Sequence, residues 1–451
     1  MRATTFVTAA VAVCVCVLLP AAAQGTPTDV RATATEEIAT DYPTADEQRD
    51  AAIMDPLVEA LSMAVGESDR EVPTIDGAPN RYAGFKVDYP AHRIDLYWAG
   101  EVPESIRALI RSHPDVDVAT HVAEYSQIEM LEARDRIAAE RSSLEQTLGT
   151  LLSVGPDYQG RGLKVQTSSG TDLGRRAANS VVDDISEVPI FSLEANVGEI
   201  TTFAGSRQND TSPHYGGAGV LITNVAQTKG GYCTTGASVV GRSTGTKYMT
   251  TALHCMEEPG APDVEIDSKG YVFNAAGTLI GSWRWDASQL DKSRHAILIK
   301  LKDGSTNSGR AYWGAYTSST SQPWEGVTTS PIGASICTLG ANTGAHCGGI
   351  VTDNNFLMFH GPAQLDNMVK AAHETVALAG NGDSGGPVSR TVNGERRLAG
   401  FILGGPPNTT SAAECSTSMY IPTSQGTKCS KVVYYTGGMA STLDELGVDL
   451  R

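Results

Sequence analysis

A serine that attacks a carbonyl needs an exposed hydroxyl, a base to take its proton, and donors for the oxyanion that forms. One stretch suits the first and last of these needs: Gly380-Asn381-Gly382-Asp383-Ser384-Gly385-Gly386-Pro387-Val388. Glycines and a proline around a single serine permit a sharp turn, with the hydroxyl forward and the neighbouring backbone bare. The amide N–H groups of Gly382 and Ser384 can then meet an oxyanion. A bare Gly-Asp-Ser would more often be an ordinary surface turn, but the full Gly-Asp-Ser-Gly-Gly-Pro string is far rarer by chance. A histidine with the chemistry of a base, His254, lies in the run Lys247-Tyr248-Met249-Thr250-Thr251-Ala252-Leu253-His254-Cys255. Histidine precedes serine by about 130 residues, whereas hydrolases of the α/β type run serine first.

The two motifs, Thr251-Ala252-Leu253-His254-Cys255 and Gly382-Asp383-Ser384-Gly385-Gly386-Pro387, resemble those of the chymotrypsin/trypsin family of serine peptidases. The resemblance implies a double β-barrel, Ser384 as nucleophile and His254 as general base. It also implies an aspartate at the start of a strand, to hold His254 in the right tautomer. The strand of that type is Ser293-Arg294-His295-Ala296-Ile297-Leu298-Ile299-Lys300-Leu301, and it places His295 at the aspartate's position. Asp291 lies four residues earlier and Asp286 nine. Three readings follow. His295 serves directly, as in serine peptidases of another fold that use Ser-His-His; Asp291 swings into place; or the third member is lost and the protein is a weakened, peptidase-fold binding protein. The wall Gly400-Phe401-Ile402-Leu403-Gly404-Gly405 resembles one side of the specificity pocket, with Leu403 where relatives carry a serine. Leu378, six residues before the nucleophile, stands where trypsin-like enzymes hold an aspartate. The implied pocket (Leu378, Leu403, Gly404, Gly405) lacks an acid to attract Arg or Lys, so cleavage after large apolar residues is expected.

Composition narrows the context. Of the net charge of −17, almost all falls in residues 1–200, which hold 16 Lys+Arg against 32 Asp+Glu; residues 201–451 hold 18 against 19. An acidic balance without a basic patch argues against nucleic acid as a partner. Met1-Arg2, the apolar run Phe6 to Leu19 and Ala21-Ala22-Ala23 read as a secretory signal peptide over 1–23, too short for a comfortable membrane anchor. Six cysteines remain after it, an even number for an oxidising compartment. Sequence proximity and the family resemblance together suggest Cys233–Cys255, Cys337–Cys347 and Cys415–Cys429. Each closure would stabilise by about 3 kcal/mol. No metal-ligand spacing stands out and no cofactor is expected.

The elements that must position these residues divide at about Ile200. Residues 24–80 read as an entry plus one helix around Ile53 to Val65. Phe85, Val87 and Tyr89, a turn at Pro90-Ala91-His92, then Ile94, Leu96 and Trp98 predict a β-hairpin. A helix from Pro103 to Pro114, a strand at Val116 to Val122 and a longer helix carrying Ile128, Leu131, Ile137, Leu144 and Leu148 follow. This α/β pattern over 82–195 resembles the prosegments of secreted bacterial peptidases of the streptogrisin and α-lytic type. That resemblance implies that 24–199 is an intramolecular folding aid and inhibitor, removed from a nearly neutral enzyme of residues 200–451. A permanent acidic binding domain is the competing reading. From residue 200 on, short Val/Ile/Thr runs separated by Gly, Ser and Asn suit two packed β-barrels. The expected substrates are proteins or peptides, and the expected location is extracellular.

Overall fold

The computed structural model describes residues 45–66, 74–167, 185–195, 201–202, 209–258, 261–406, 410–411, 415 and 428–451. The expected signal peptide and the boundary at Ile200 lie outside these residues. The described residues open with helix α1 (Ala45–Val65), whose Met54, Leu57, Val58, Leu61 and Val65 recur at helical spacing and are all buried. Its first turns are polar, so the apolar stripe marks only its later half. The expected hairpin forms as β1 (Tyr82–Asp88) and β2 (Arg93–Trp98). Helix α2 (Glu104–Arg111) then crosses to β3 (Asp117–Val122), which lies parallel to β2. Ser126 and Glu129 form a reciprocal capping box that starts α3 (Gln127–Ala139). The expected single helix breaks at Glu140, and α4 (Arg141–Leu148) continues the stripe with Leu144 and Leu148 buried.

A second sheet was not legible in the sequence: β4 (Leu151–Pro156), β5 (Leu163–Thr167) and β6 (Ile190–Ala195). Its β4 edge pairs with a strand of the second half of the chain, Val154 opposite Leu357 and Ser153 opposite Met358.

Residues 219–301 supply one barrel. Strands β7 (Gly219–Asn224), β8 (Gly230–Thr234), β9 (Ser238–Gly241), β10 (Lys247–Ala252), β11 (Lys269–Asn274), β12 (Leu279–Arg284) and β13 (Ala296–Leu301) pair antiparallel in the order β8-β7-β11-β12-β13-β10-β9. Cys233 on β8 and Met249 on β10 share one buried core with Val272, Trp283 and Ile299, so the sheet curls round its own apolar face. The second barrel closes fully. Strands β14 (Ser335–Gly340), β15 (Gly344–His360), β16 (Ala363–Ala372), β17 (Pro387–Val392), β18 (Glu395–Gly405) and β19 (Val432–Thr436) pair as β14-β17-β18-β19-β16-β15, and β15 returns to β14. The terminal helix α5 (Met439–Glu445) and strand β20 (Val448–Leu450) cross back to pair with β9. Met439, Leu443 and Leu446 join Val239, Leu298, Leu339 and Phe401 in a core between the barrels.

The three expected disulfides form: Cys233–Cys255, Cys337–Cys347 and Cys415–Cys429. Among the described residues, no helix is long and apolar enough to cross a membrane.

Candidate active site

His254 sits in the short 3-10 turn Leu253–Met256 that follows β10 on the first barrel. Ser384 sits in the turn before β17 on the second. Their approach is fixed by backbone bonds across the barrel seam. The Thr234 amide donates to Ser384 O at 2.8 Å, and the Thr234 hydroxyl donates to Gly382 O at 2.5 Å. Gly382 has φ of +94° and Gly385 φ of +82°, a region that favours glycine. A Cβ on Gly385 would come within 2.3 Å of Thr251 Oγ1 and 2.6 Å of Ala252 N, so the serine turn can nest against the histidine strand only with glycine there.

Asp383 holds the turn from inside. Its carboxylate accepts from the amides of Asn342, Thr343 and Gly380 and from the Thr343 hydroxyl, at 2.6–3.1 Å. Burial pushes its pKa up to about 6, and these four donors oppose the rise.

The side chain that stands against His254 is His295, not either aspartate. His254 Nδ1 lies 2.7 Å from His295 Nε2, and the His254 backbone N–H donates to the same Nε2 at 3.0 Å. A backbone N–H can only donate, so His295 Nε2 is an acceptor and the proton of its neutral ring sits on Nδ1, a tautomer assigned from this network. His254 is thereby set to donate from Nδ1 and keep the Nε2 lone pair that a general base needs. His295 is buried and adopts φ of +52°, a costly backbone state for a non-glycine residue. The loop is pinned by Leu253 N to His295 O at 2.8 Å and Asp366 N to Ser293 O at 2.6 Å. Asp291 turns the other way: its Oδ1 accepts from Ser293 Oγ and Arg294 N, capping its own turn. Asp286 binds Ser288 in the same manner.

Desolvation holds His254 down at about 3, with His360 adding repulsion, and holds His295 well below its usual value. His254 Nε2 is shut off from solvent and has no hydrogen-bond partner, while the Ser384 hydroxyl donates to Leu403 O at 3.4 Å. The described chain also runs into this region from upstream: Thr202 pairs with Gly404 and Thr201 with Gly405.

Two of the expected pocket residues are placed differently. Leu378 is fully buried in the core of the second barrel with Ile336, Val388 and Tyr435, and its carbonyl accepts from the Thr338 hydroxyl. Leu403 packs with Phe356, Met358, Leu365, Met368 and Tyr434. Both side chains therefore belong to packing, and the preference expected from Leu378 loses its footing.

Among the described residues, metal-ligand side chains gather twice. Cys233 and Cys255 beside His254 share a disulfide and have no thiolate to offer. Glu257, His295 and His360 form the second group, but with its Nδ1 protonated His295 cannot ligate from that side. Neither Glu257 nor His360 was marked by any sequence motif.

No family model matches the chain, and no curated protein matches it. Among solved structures, it is similar to one described as "a glutamic acid specific serine protease" that "utilizes a novel histidine triad in substrate binding". The two share 19% identity over 52% of this chain and 100% of that one, with a TM-score of 0.36. Thermobifida fusca protease A (18% identity, 52% of this chain, 97% of that one, TM-score 0.35) and an alpha-lytic protease homolog named N4 (20%, 52%, 98%, 0.35) are similar as well. In this chain itself, two antiparallel β-barrels meet with a histidine on the first and a serine turn on the second. The fold is the chymotrypsin-like double β-barrel. The chymotrypsin-like part is preceded by an α/β segment that packs directly onto it.

Proposed function

We propose that the chain is a secreted serine endopeptidase, made with a signal peptide over 1–23 and a prosegment over 24–199, that cleaves protein or peptide substrates through an acyl-enzyme on Ser384. The observation that carries this reading is the 2.7 Å contact from His254 Nδ1 to His295 Nε2, which leaves His254 Nε2 unprotonated. In the reaction, Ser384 Oγ attacks the scissile carbonyl while its proton passes to His254 Nε2. The amides of Gly382 and Ser384 receive the oxyanion, and His254 returns the proton to the leaving amine. Water then releases the acyl group by the same steps in reverse roles.

The prosegment reading is supported by the docked α/β segment and by the pairing of Thr201–Thr202 with Gly404–Gly405 along the pocket wall. A chain in that position excludes substrate, and the Ser384 hydroxyl directed at Leu403 O suits a resting form. The test is an organophosphonate that labels activated serines, applied to the processed protein. The label is expected on Ser384 and is lost in His254→Ala. An intact, processed protein that takes no label between about pH 7 and 9 overturns the reading, since the neutral histidine base is present throughout that range.

A further inference from the structure

A neutral imidazole in place of a carboxylate gives a protonated His254 no compensating charge. A carboxylate nevertheless lies close by. Glu257 ends the short turn that begins beside His254, and its amide donates to His254 O. Its side chain is buried; Oε2 stands 3.4 Å from His360 Nε2, and Oε1 has no hydrogen-bond partner. A ring nitrogen of His295, one of His360 and an oxygen of Glu257 all fall within 4.8 Å of one another. His295 Nδ1 is likewise buried and without a hydrogen-bond partner. The His254 backbone N–H makes that Nδ1 the protonated one. Two residues of one cluster thus carry an unsatisfied N–H donor and an unsatisfied carboxylate oxygen, an arrangement that is costly unless the two meet.

We infer that Glu257, braced by His360, is a positioning residue for this site: it takes the Nδ1–H of His295 and so places a carboxylate behind His254 across one intervening ring. The inference rests on the reading of Ser384 as nucleophile. The Ser384 proton goes to His254 Nε2, and the protons on His254 Nδ1 and His295 Nδ1 stay where they are. Glu257 remains an anion and balances the imidazolium. The other titratable groups on the surrounding elements are His360 on β15, Glu258 paired with Lys229, Glu265 across the strand from Glu257, and Asp291, Lys292 and Arg294 on the His295 loop.

Two measurements test this. In ¹⁵N-labelled full-length Ser384→Ala protein at neutral pH, His295 is expected to be protonated on Nδ1, with that proton moving upfield in Glu257→Gln. In processed protein, the pH profile of organophosphonate labelling is expected to shift its acid limb down by about one unit in Glu257→Gln, with a rate loss of about tenfold and an intermediate effect in Glu257→Asp. In a His295→Asp background the Glu257→Gln effect is expected to vanish, because the triad then carries its own carboxylate. His295 protonated on Nε2 in the unsubstituted protein overturns the inference even if Glu257→Gln fails to fold. So does an acid limb unmoved by either Glu257 variant, or an effect of full size in the His295→Asp background. Protein that never takes label but shows a Glu257-dependent His295 Nδ1–H keeps the contact and refutes the peptidase reading instead.

Discussion

At the scale of single residues, the histidine at position 295 is where this chain departs from the pattern its motifs resemble. The sequence leaves His295, Asp291 or neither as the third member, and a loop path puts His295 against His254. Asp291 is spent on its own turn, while His295 reaches His254 with two contacts to one nitrogen. In a Ser-His-Asp triad, replacing the aspartate by asparagine costs about 10⁴ in kcat by enforcing the wrong tautomer. His295→Ala in the processed protein is expected to cost at least about 10²-fold in kcat, while Asp291→Ala leaves kcat nearly unchanged and lowers stability by about 1 kcal/mol through loss of its cap. His295→Asp is expected to raise kcat, since aspartate tolerates the positive φ of this position better than most residues. Steady-state kinetics and thermal melts of the three variants decide; equal, parental kcat in both alanine variants removes His295 from the site. Ser384 and His254 were legible because each lies in a short string with few other uses. Glu257 and His360 were not: nothing in their neighbours' types marks them, and His360 reaches the site only through the length of a 17-residue strand. Leu378 failed for the opposite reason. A position read by counting back from the nucleophile carried no information on which way its side chain points.

At the scale of elements, the hairpin of β15 and β16 is gripped on several sides by the α/β segment. Arg134 of α3, almost wholly buried, donates to Asn355 O at 2.9 Å and stands 3.1 Å from Asp366; Lys164 of β5 pairs with Asp353 at 2.7 Å. Leu357 and Phe359 of the hairpin complete the apolar core formed by α3, α4 and β4 to β6. A separate seam joins α1 to β17, where buried Arg390 pairs with Asp55 at 2.9 Å and Glu59 at 3.0 Å and bonds the Tyr89 hydroxyl. The periodicity of α1 and of the first hairpin was legible, because each buries one face in a local core. The β4–β6 sheet was not, since half its support comes from a strand some 200 residues downstream. Residues 200–451 expressed alone are therefore expected to give little active enzyme, and residues 24–199 added in trans to restore it. Asp55→Ala in the added fragment takes from buried Arg390 one of its two carboxylate partners and leaves Glu59, a loss of about 3 kcal/mol, so half-maximal rescue should need about 10²-fold more fragment. Titration of recovered labelling against fragment concentration measures this; equal yield without any fragment refutes the dependence.

At the scale of the whole molecule, the folded full chain holds several buried groups whose charge states differ from those of an unfolded chain. Burial holds His254 at about 3, His346 at about 4, and His295 well below its ordinary value. Unfolded, all three take up protons near 6.5. A histidine whose folded pKa is lowered stabilises nothing extra above 6.5, and the folded state loses ground as pH falls below it, because only the unfolded chain gains the protons. Asp383 acts in the reverse sense: raised to about 6 in the fold, it binds a proton there before the unfolded chain does, which favours the fold as pH falls toward 4. Three histidines against one carboxyl leave a net uptake of about two protons on unfolding near pH 5.5, or about 3 kcal/mol of stability lost per pH unit. Urea unfolding of the full chain carrying Ser384→Ala, which removes the proposed nucleophile, is expected to show that slope between pH 6 and 5. His346→Gln, which removes one of the three and leaves the candidate active site untouched, should reduce it by about one proton. Stability that stays level or rises across this interval would mean that the histidines titrate normally in the fold, and that the site is open to water in the full chain.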